Sequence, residues 1–176
     1  MKGLLRYIRN IYQYYRVPYY KRLYNELKDA KDILDLGCGQ ESCLSHINIK
    51  AYTVGVEASK KCYQIALRDK THKKLINANL MDYIRKNRQH YEVILLSDIV
   101  EHLTKKQAAE VINNAKKWAN KIVLFTPKGY LEQVDEGNDY NSHKSGWEAE
   151  DLTKLGFNAK IVQNFNIKSI YAIWQR

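Results

Sequence analysis

Short apolar blocks and helix-periodic stretches alternate along the chain in a regular order. The first block, Asp32 to Leu36, is broken by Asp35 and ends in Gly37 and Gly39, so it predicts a strand that stops in a tight turn. Cys43, Leu44 and Ile47 follow at helical spacing and predict a helix after the turn. Tyr52 to Glu57 reads as a second strand ending in an acid. Ser59 is placed to cap a helix whose inner face is Cys62, Ile65 and Ala66, and Leu75 to Ala78 forms a short third strand. Tyr91 to Leu96 is the fourth strand, with four consecutive branched aliphatics after Glu92, as a sheet covered on both faces requires. Thr104 to Gln107 has capping-box spacing and opens a helix that buries Ala108, Val111, Ile112 and Ala115. Lys121 to Phe125 is the fifth strand. Ala159 to Gln163 and Ser169 to Trp174 are joined too closely for anything but a hairpin. The pattern predicts an α/β fold over residues 31–176: a doubly wound, seven-stranded sheet, mostly parallel, with a C-terminal antiparallel hairpin and helices on both faces.

Residues 1–30 read differently, as a helical arm. Leu4, Leu5, Ile8, Ile11, Tyr12 and Tyr15 share one helical arc and Lys2, Arg6, Arg9, Gln13 and Arg16 the opposite one; Pro18 breaks the pattern and a second helix runs from Tyr19 to Ala30. Residues 1–28 hold seven basic residues against one acid, which is most of the formal net charge of +10. Seven of the 14 tyrosines lie between Tyr7 and Tyr24. Three readings stay open: packing on the domain through Leu, Ile and Tyr, peripheral contact with an anionic membrane, or a basic and aromatic platform for nucleic acid. The three cysteines have no metal-ligand spacing and read as reduced thiols. With no apolar run of membrane-spanning length and no signal-peptide core, the expected location is cytoplasmic.

The candidate chemistry gathers where strands end. Two glycines one residue apart let a ligand approach the backbone, and Glu57, twenty positions after Gly37, has the spacing of a carboxylate that accepts from ribose hydroxyls. Both the dinucleotide-binding dehydrogenases and one other large family place an acid there. The dehydrogenase fingerprint needs a third glycine where this chain has Ser42. Asp35-Leu36-Gly37-Cys38-Gly39 instead resembles the first motif of the class I S-adenosylmethionine-dependent methyltransferases. Ser97-Asp98-Ile99-Val100-Glu101-His102-Leu103 resembles their fourth motif, and five parallel strands followed by a hairpin is their architecture.

The resemblance implies S-adenosylmethionine as cofactor. Asp35, Gly37, Cys38 and Gly39 would cradle its methionine portion, Glu57 with Ala58 its ribose, and Asn79 with Leu80 its adenine, with Asp82 as the alternative adenine contact. Ser97 and Asp98 would line the site facing the transferred methyl, Asp98 as a catalytic candidate, and His102 stands beside them as a minor one. Lys128 to Gly146 is a long polar connection over the strand ends, so it is functional or mobile, and His143 within it is the better candidate for a base. Its end, His143-Lys144-Ser145-Gly146-Trp147, resembles a loop in a subset of small methyltransferases; Ser145 is expected to cap the next helix and Trp147 to pack beneath it. The Pro-Cys pair of cytosine C5 chemistry, the aromatic Asn/Asp-Pro-Pro motif of amino methylation and the CxxxCxxC run of radical enzymes are all missing. The implied acceptor is a small molecule, a glycan or a lipid intermediate. An RNA acceptor engaged by the basic arm is the alternative, and a methyltransferase-fold protein that binds without catalysis is the other.

Overall fold

A computed structural model describes residues 18–135, 139–164 and 167–176. The first predicted helix of the arm, on residues 2–16, lies outside them. Helix α1 (Pro18–Leu27) precedes β1 (Asp32–Leu36), β2 (Tyr52–Glu57), α2 (Lys60–Asp69), β3 (Lys74–Asn77), α3 (Leu80–Lys86), β4 (Tyr91–Ser97), α4 (Lys105–Ala115), β5 (Ala119–Pro127), α5 (Ala149–Lys154), β6 (Asn158–Asn164) and β7 (Ile167–Gln175). The strands form one seven-stranded sheet in the order β3-β2-β1-β4-β5-β7-β6. The first five run parallel, and β7 pairs antiparallel with both β5 and β6. The order reverses between β1 and β4, which is where an open parallel sheet offers a crevice at its carboxyl ends.

Strand alternation sends Ile33, Val93, Leu95, Val123 and Phe125 to one face, where Tyr19, Leu23 and Leu27 of α1 cover them together with Leu44 and Ile47. Leu34, Leu36, Ile94, Leu96, Ile122 and Leu124 point the other way and are covered by α3, α4 and α5 through residues such as Ile84, Val111, Ile112 and Leu152. Both faces are therefore sealed, and polar groups are concentrated at the strand ends.

Two expectations need correction. The helix predicted after the glycine turn is only a 3-10 turn, Cys43–His46. Ser42 caps it by accepting from the Leu44 N–H, and Ile47 then adopts extended backbone, so one turn suffices to drop Leu44 and Ile47 into the core. No long helix therefore aims its first N–H groups at the turn. Ser145 does not cap α5 either: Glu148 holds that place, in a reciprocal box with Asp151. The Ser145 hydroxyl donates to the Leu103 carbonyl at 2.7 Å and accepts from the buried Trp147 indole at 3.0 Å, which ties the loop to the end of β4.

Candidate active site

The Gly37 and Gly39 turn bends with both residues at positive φ, 74° and 65°. The Gly37 and Cys38 N–H groups donate to the Val56 carbonyl at 2.9 and 3.1 Å, which pins the turn to β2. A Cβ at Gly37 would stand 2.3 Å from the Ile99 Cδ1, so a side chain here must push Ile99 aside as well as hold a left-handed backbone. At Gly39 a Cβ would meet nothing, so its backbone is open to a ligand.

Glu57, at the end of β2, accepts from the Gly39 N–H at 2.9 Å and the Ser59 N–H at 2.7 Å. Burial raises its carboxyl above the ordinary range, and those two donors oppose the shift. The carboxylate thus joins the first turn to the second.

Beneath the turn, Asp35 is buried. Its Oδ2 accepts from the Ser42 hydroxyl at 2.6 Å and lies 3.2 Å from the His72 Nε2, whose other nitrogen is 2.9 Å from the Thr71 hydroxyl. Gly55 makes room for this network: a Cβ there would sit 2.9 Å from both the His72 Nδ1 and the Cys38 Sγ. Burial raises the Cys38 and Cys43 thiols, so both stay protonated and act as packing groups.

Across the crevice, β4 ends in Ser97 and Asp98. The Ser97 hydroxyl donates to the Asp98 Oδ2 at 3.2 Å and accepts from the Tyr19 hydroxyl at 2.7 Å. Tyr19 is buried, its ring tilted 42° to that of Phe125 with centroids 4.2 Å apart, and its phenol is raised well above the ordinary range by that burial. Asp98 holds a left-handed backbone with φ 50°, a cost of about 1–3 kcal/mol in a residue that is not glycine. Its side chain is open to the cleft yet walled by protein, and this desolvation raises its carboxyl to about 6.

Glu101 follows in a 3-10 turn, Val100–His102. Its buried carboxylate accepts from the Thr126 hydroxyl at 2.8 Å, and its carboxyl is pushed up to about 8, first by burial and then by the charge of Asp98. Its backbone carbonyl accepts from the Lys144 and Ser145 N–H groups at 2.7 and 3.1 Å. The described parts of the long connection are thus fastened across the strand ends. His143 lies edge-on to His102, ring centroids 4.7 Å apart, and burial lowers the His102 pKa.

Two cavities open here. The larger, about 500 Å³, is lined by Tyr19, Tyr20, Asp35, Cys38, Ser97 and Phe125 among others; the smaller, about 210 Å³, by Glu57, Ala58, Asn79, Leu80, His102 and Lys144 among others. Gly37, Gly39 and Asp98 border both. Every cofactor residue expected from the sequence therefore lies on one cavity or the other. Asn79 also caps α3, its amide oxygen accepting from the Met81 N–H at 2.9 Å, whereas Asp82 lines neither cavity and faces Arg85 at 3.6 Å. Of the three acid or base candidates, Asp98 borders both cavities, His102 the smaller and His143 neither.

Sequence reasoning missed Tyr19 and Tyr20, which α1 carries to the larger cavity, and the Ser42 and His72 partners of Asp35. No local motif marks any of these. The sole available signal was Gly55, an unforced glycine in the middle of an apolar strand.

A sheet of this order, with a glycine turn and an acid at the ends of its first two strands, is the fold of the class I methyltransferases. A methyltransferase domain family matches residues 7–176, and the chain belongs to it. The expectation of a class I S-adenosylmethionine-dependent methyltransferase, cofactor included, is borne out. The fold is similar to that of TehB from Haemophilus influenzae, with 10% identity, TM-score 0.67 and coverage of 89% of this chain, which spans 61% of that protein. It is similar also to an Archaeoglobus fulgidus SAM-dependent methyltransferase (15% identity, TM-score 0.64, 97% of this chain and 94% of that one). A third similar structure is the magnesium protoporphyrin IX methyltransferase of Synechocystis with bound SAM (16% identity, TM-score 0.61, 88% and 74%). No curated protein matches the chain in sequence. Among the described residues no helix is long and apolar enough to cross a membrane.

Proposed function

We propose that the cofactor lies across the two cavities and that its methyl group passes to a small-molecule acceptor in the larger one. The observation that carries this reading is the shared border: Gly37, Gly39 and Asp98 line both cavities, so one elongated ligand can run from one to the other past the open backbone of Gly39. In this reading Glu57 takes the ribose hydroxyls, Asn79 and Leu80 flank the adenine, and Asp35 and the turn hold the methionine portion. Ser97 and Asp98 face the sulfonium.

The larger cavity joins aromatic walls, Tyr19, Tyr20 and Phe125, to the polar Ser97 and Asp98, a composition suited to a compact acceptor such as a free small molecule or the head of a glycan or lipid intermediate. Methyl transfer asks mainly for alignment and exclusion of water. The acceptor's lone pair attacks the methyl carbon, the S–C bond breaks with its electrons on sulfur, and S-adenosylhomocysteine leaves. The acceptor proton passes to Asp98, whose carboxyl at about 6 is ionised at neutral pH and basic enough to take it.

In this reading the arm, residues 1–30, serves the acceptor side of the site through Tyr19 and Tyr20. Titration calorimetry with S-adenosylmethionine and with NAD tests the first half: micromolar binding of the former and none of the latter is expected, and the reverse would overturn the reading. A panel of phenols, sugars and lipid-linked saccharides, followed by S-adenosylhomocysteine release, tests the second. Turnover stimulated by RNA and by no small molecule would overturn that half.

A further inference from the structure

We propose that Glu101, His102 and His143 form a binding site for one divalent transition-metal ion. One ligand atom from each lies within 4.8 Å of the other two. The three come from two chain segments, the 3-10 turn after β4 and the loop after β5, which are held together by the two backbone bonds to the Glu101 carbonyl and by the Ser145 hydroxyl. The site is thus part of the fastening of the loop.

Each group is prepared for a cation. The His102 Nδ1 lies 3.3 Å from the Ser142 carbonyl and the His143 Nδ1 lies 2.5 Å from the Leu131 carbonyl. A carbonyl only accepts, so each Nδ1 carries a proton and Nε2 is the nitrogen left to ligate. That is how the outer contacts of metal-binding imidazoles fix the tautomer. Glu101 is buried, the Thr126 hydroxyl orients one of its oxygens, and among the described residues no lysine or arginine is paired with it. On ligating a cation Glu101 would give up its proton, so the donor set is one carboxylate oxygen and two imidazole nitrogens.

One carboxylate and two imidazole nitrogens favour Zn2+, Mn2+, Co2+ or Fe2+ over the all-oxygen preference of Mg2+. Bonds of about 2.1 Å place the ligand atoms of such an ion roughly 3–3.5 Å apart, so the group closes by about an ångström on binding. Three protein ligands leave coordination positions open. His102 borders the smaller cavity, so these positions can hold water or an oxygen of the ligand bound there. The site stands on geometry alone; only its contact with the cofactor rests on the proposed function.

The test uses the full chain, stripped with a chelator and titrated with Co2+, read by visible d–d absorption, and with Zn2+, read by calorimetry. The same preparation is titrated with S-adenosylmethionine. One ion per chain is expected, with affinity falling on the order of 100-fold in both Glu101→Gln and His143→Ala. Glu101→Gln keeps an oxygen for Thr126, and His143 is a loop residue, so circular dichroism and a melting curve check that each variant is folded. No stoichiometric binding, or equal binding by folded His143→Ala and wild type, would overturn the proposal. Protein that binds S-adenosylmethionine but no metal sinks the site alone; protein that binds metal but no S-adenosylmethionine sinks the proposed function alone.

Discussion

The two lips of the cleft are built in opposite ways. The lip formed by β1 and β2 is local: Asp35 to Ser59 supplies the turn, its tether to Val56 and the carboxylate that accepts from Gly39 and Ser59, and most of the donors are backbone N–H groups. The lip at the end of β4 is assembled from distant side chains. Tyr19 reaches Ser97 from 78 positions away, Ser142 meets His102 across 40, and Ser145 meets Leu103 across 42. A lip of backbone groups recognises what every bound copy of one cofactor shares and tolerates little change. A lip of side chains can be re-cut without refolding the sheet, which suits it to acceptor choice.

If that contrast is right, the largest damage comes from beneath the local lip. His72→Leu leaves the buried Asp35 with Ser42 alone, and breaking a buried pair of this kind costs about 3 kcal/mol. Urea denaturation checks it: a loss below about 1 kcal/mol would mean that the pair is a replaceable packing contact. Next comes Gly37→Ala, which must hold φ 74° and displace Ile99. A loss of about 2 kcal/mol in stability is expected, together with weaker binding of S-adenosylhomocysteine by calorimetry. Full retention of both would show that the turn relaxes freely, and the rigidity claimed for this lip would go with it.

Glu57→Ala acts on binding more than on folding. The lost carboxylate removes the partner of the Gly39 N–H and the group proposed to take the ribose hydroxyls, for roughly 1–3 kcal/mol of cofactor affinity. Unchanged affinity would take Glu57 out of the site.

The same contrast explains what could be read without coordinates. Gly37, Gly39 and Glu57 were legible because the turn and the strand end act within a few residues of themselves, and Thr104 with Gln107 closed the capping box their spacing announced. The succession of five parallel strands and an antiparallel hairpin followed from the apolar blocks and the short last connection. The missing helix after the turn was not legible, because Cys43, Leu44 and Ile47 satisfy a helical period over a single turn as well as over three. Nor was the far lip. Tyr19 looked like one of many tyrosines, Glu101 and His102 like a motif without a partner, and His143 like a base over the cleft. Only the folding of the loop back onto the Glu101 carbonyl brings His143 beside His102 and away from both cavities.

The smallest effect sharpens the contrast from the side-chain lip. S-adenosylmethionine carries a positive sulfonium and S-adenosylhomocysteine does not, so a charge on Asp98 favours the first alone. Desolvation puts the Asp98 carboxyl at about 6: below that pH it is protonated and contributes no charge, above it the carboxylate attracts the sulfonium. The S-adenosylmethionine affinity is therefore expected to rise as pH passes from 5 to 7, by about fivefold, or roughly 1 kcal/mol for two charges in a partly solvated cleft. S-adenosylhomocysteine affinity stays level, and Asp98→Asn flattens the first curve onto the second. Parallel calorimetric titrations at several pH values read all three. If both ligands tighten together, the titrating group belongs to the shared, backbone-built lip, and Asp98 does not face the methyl.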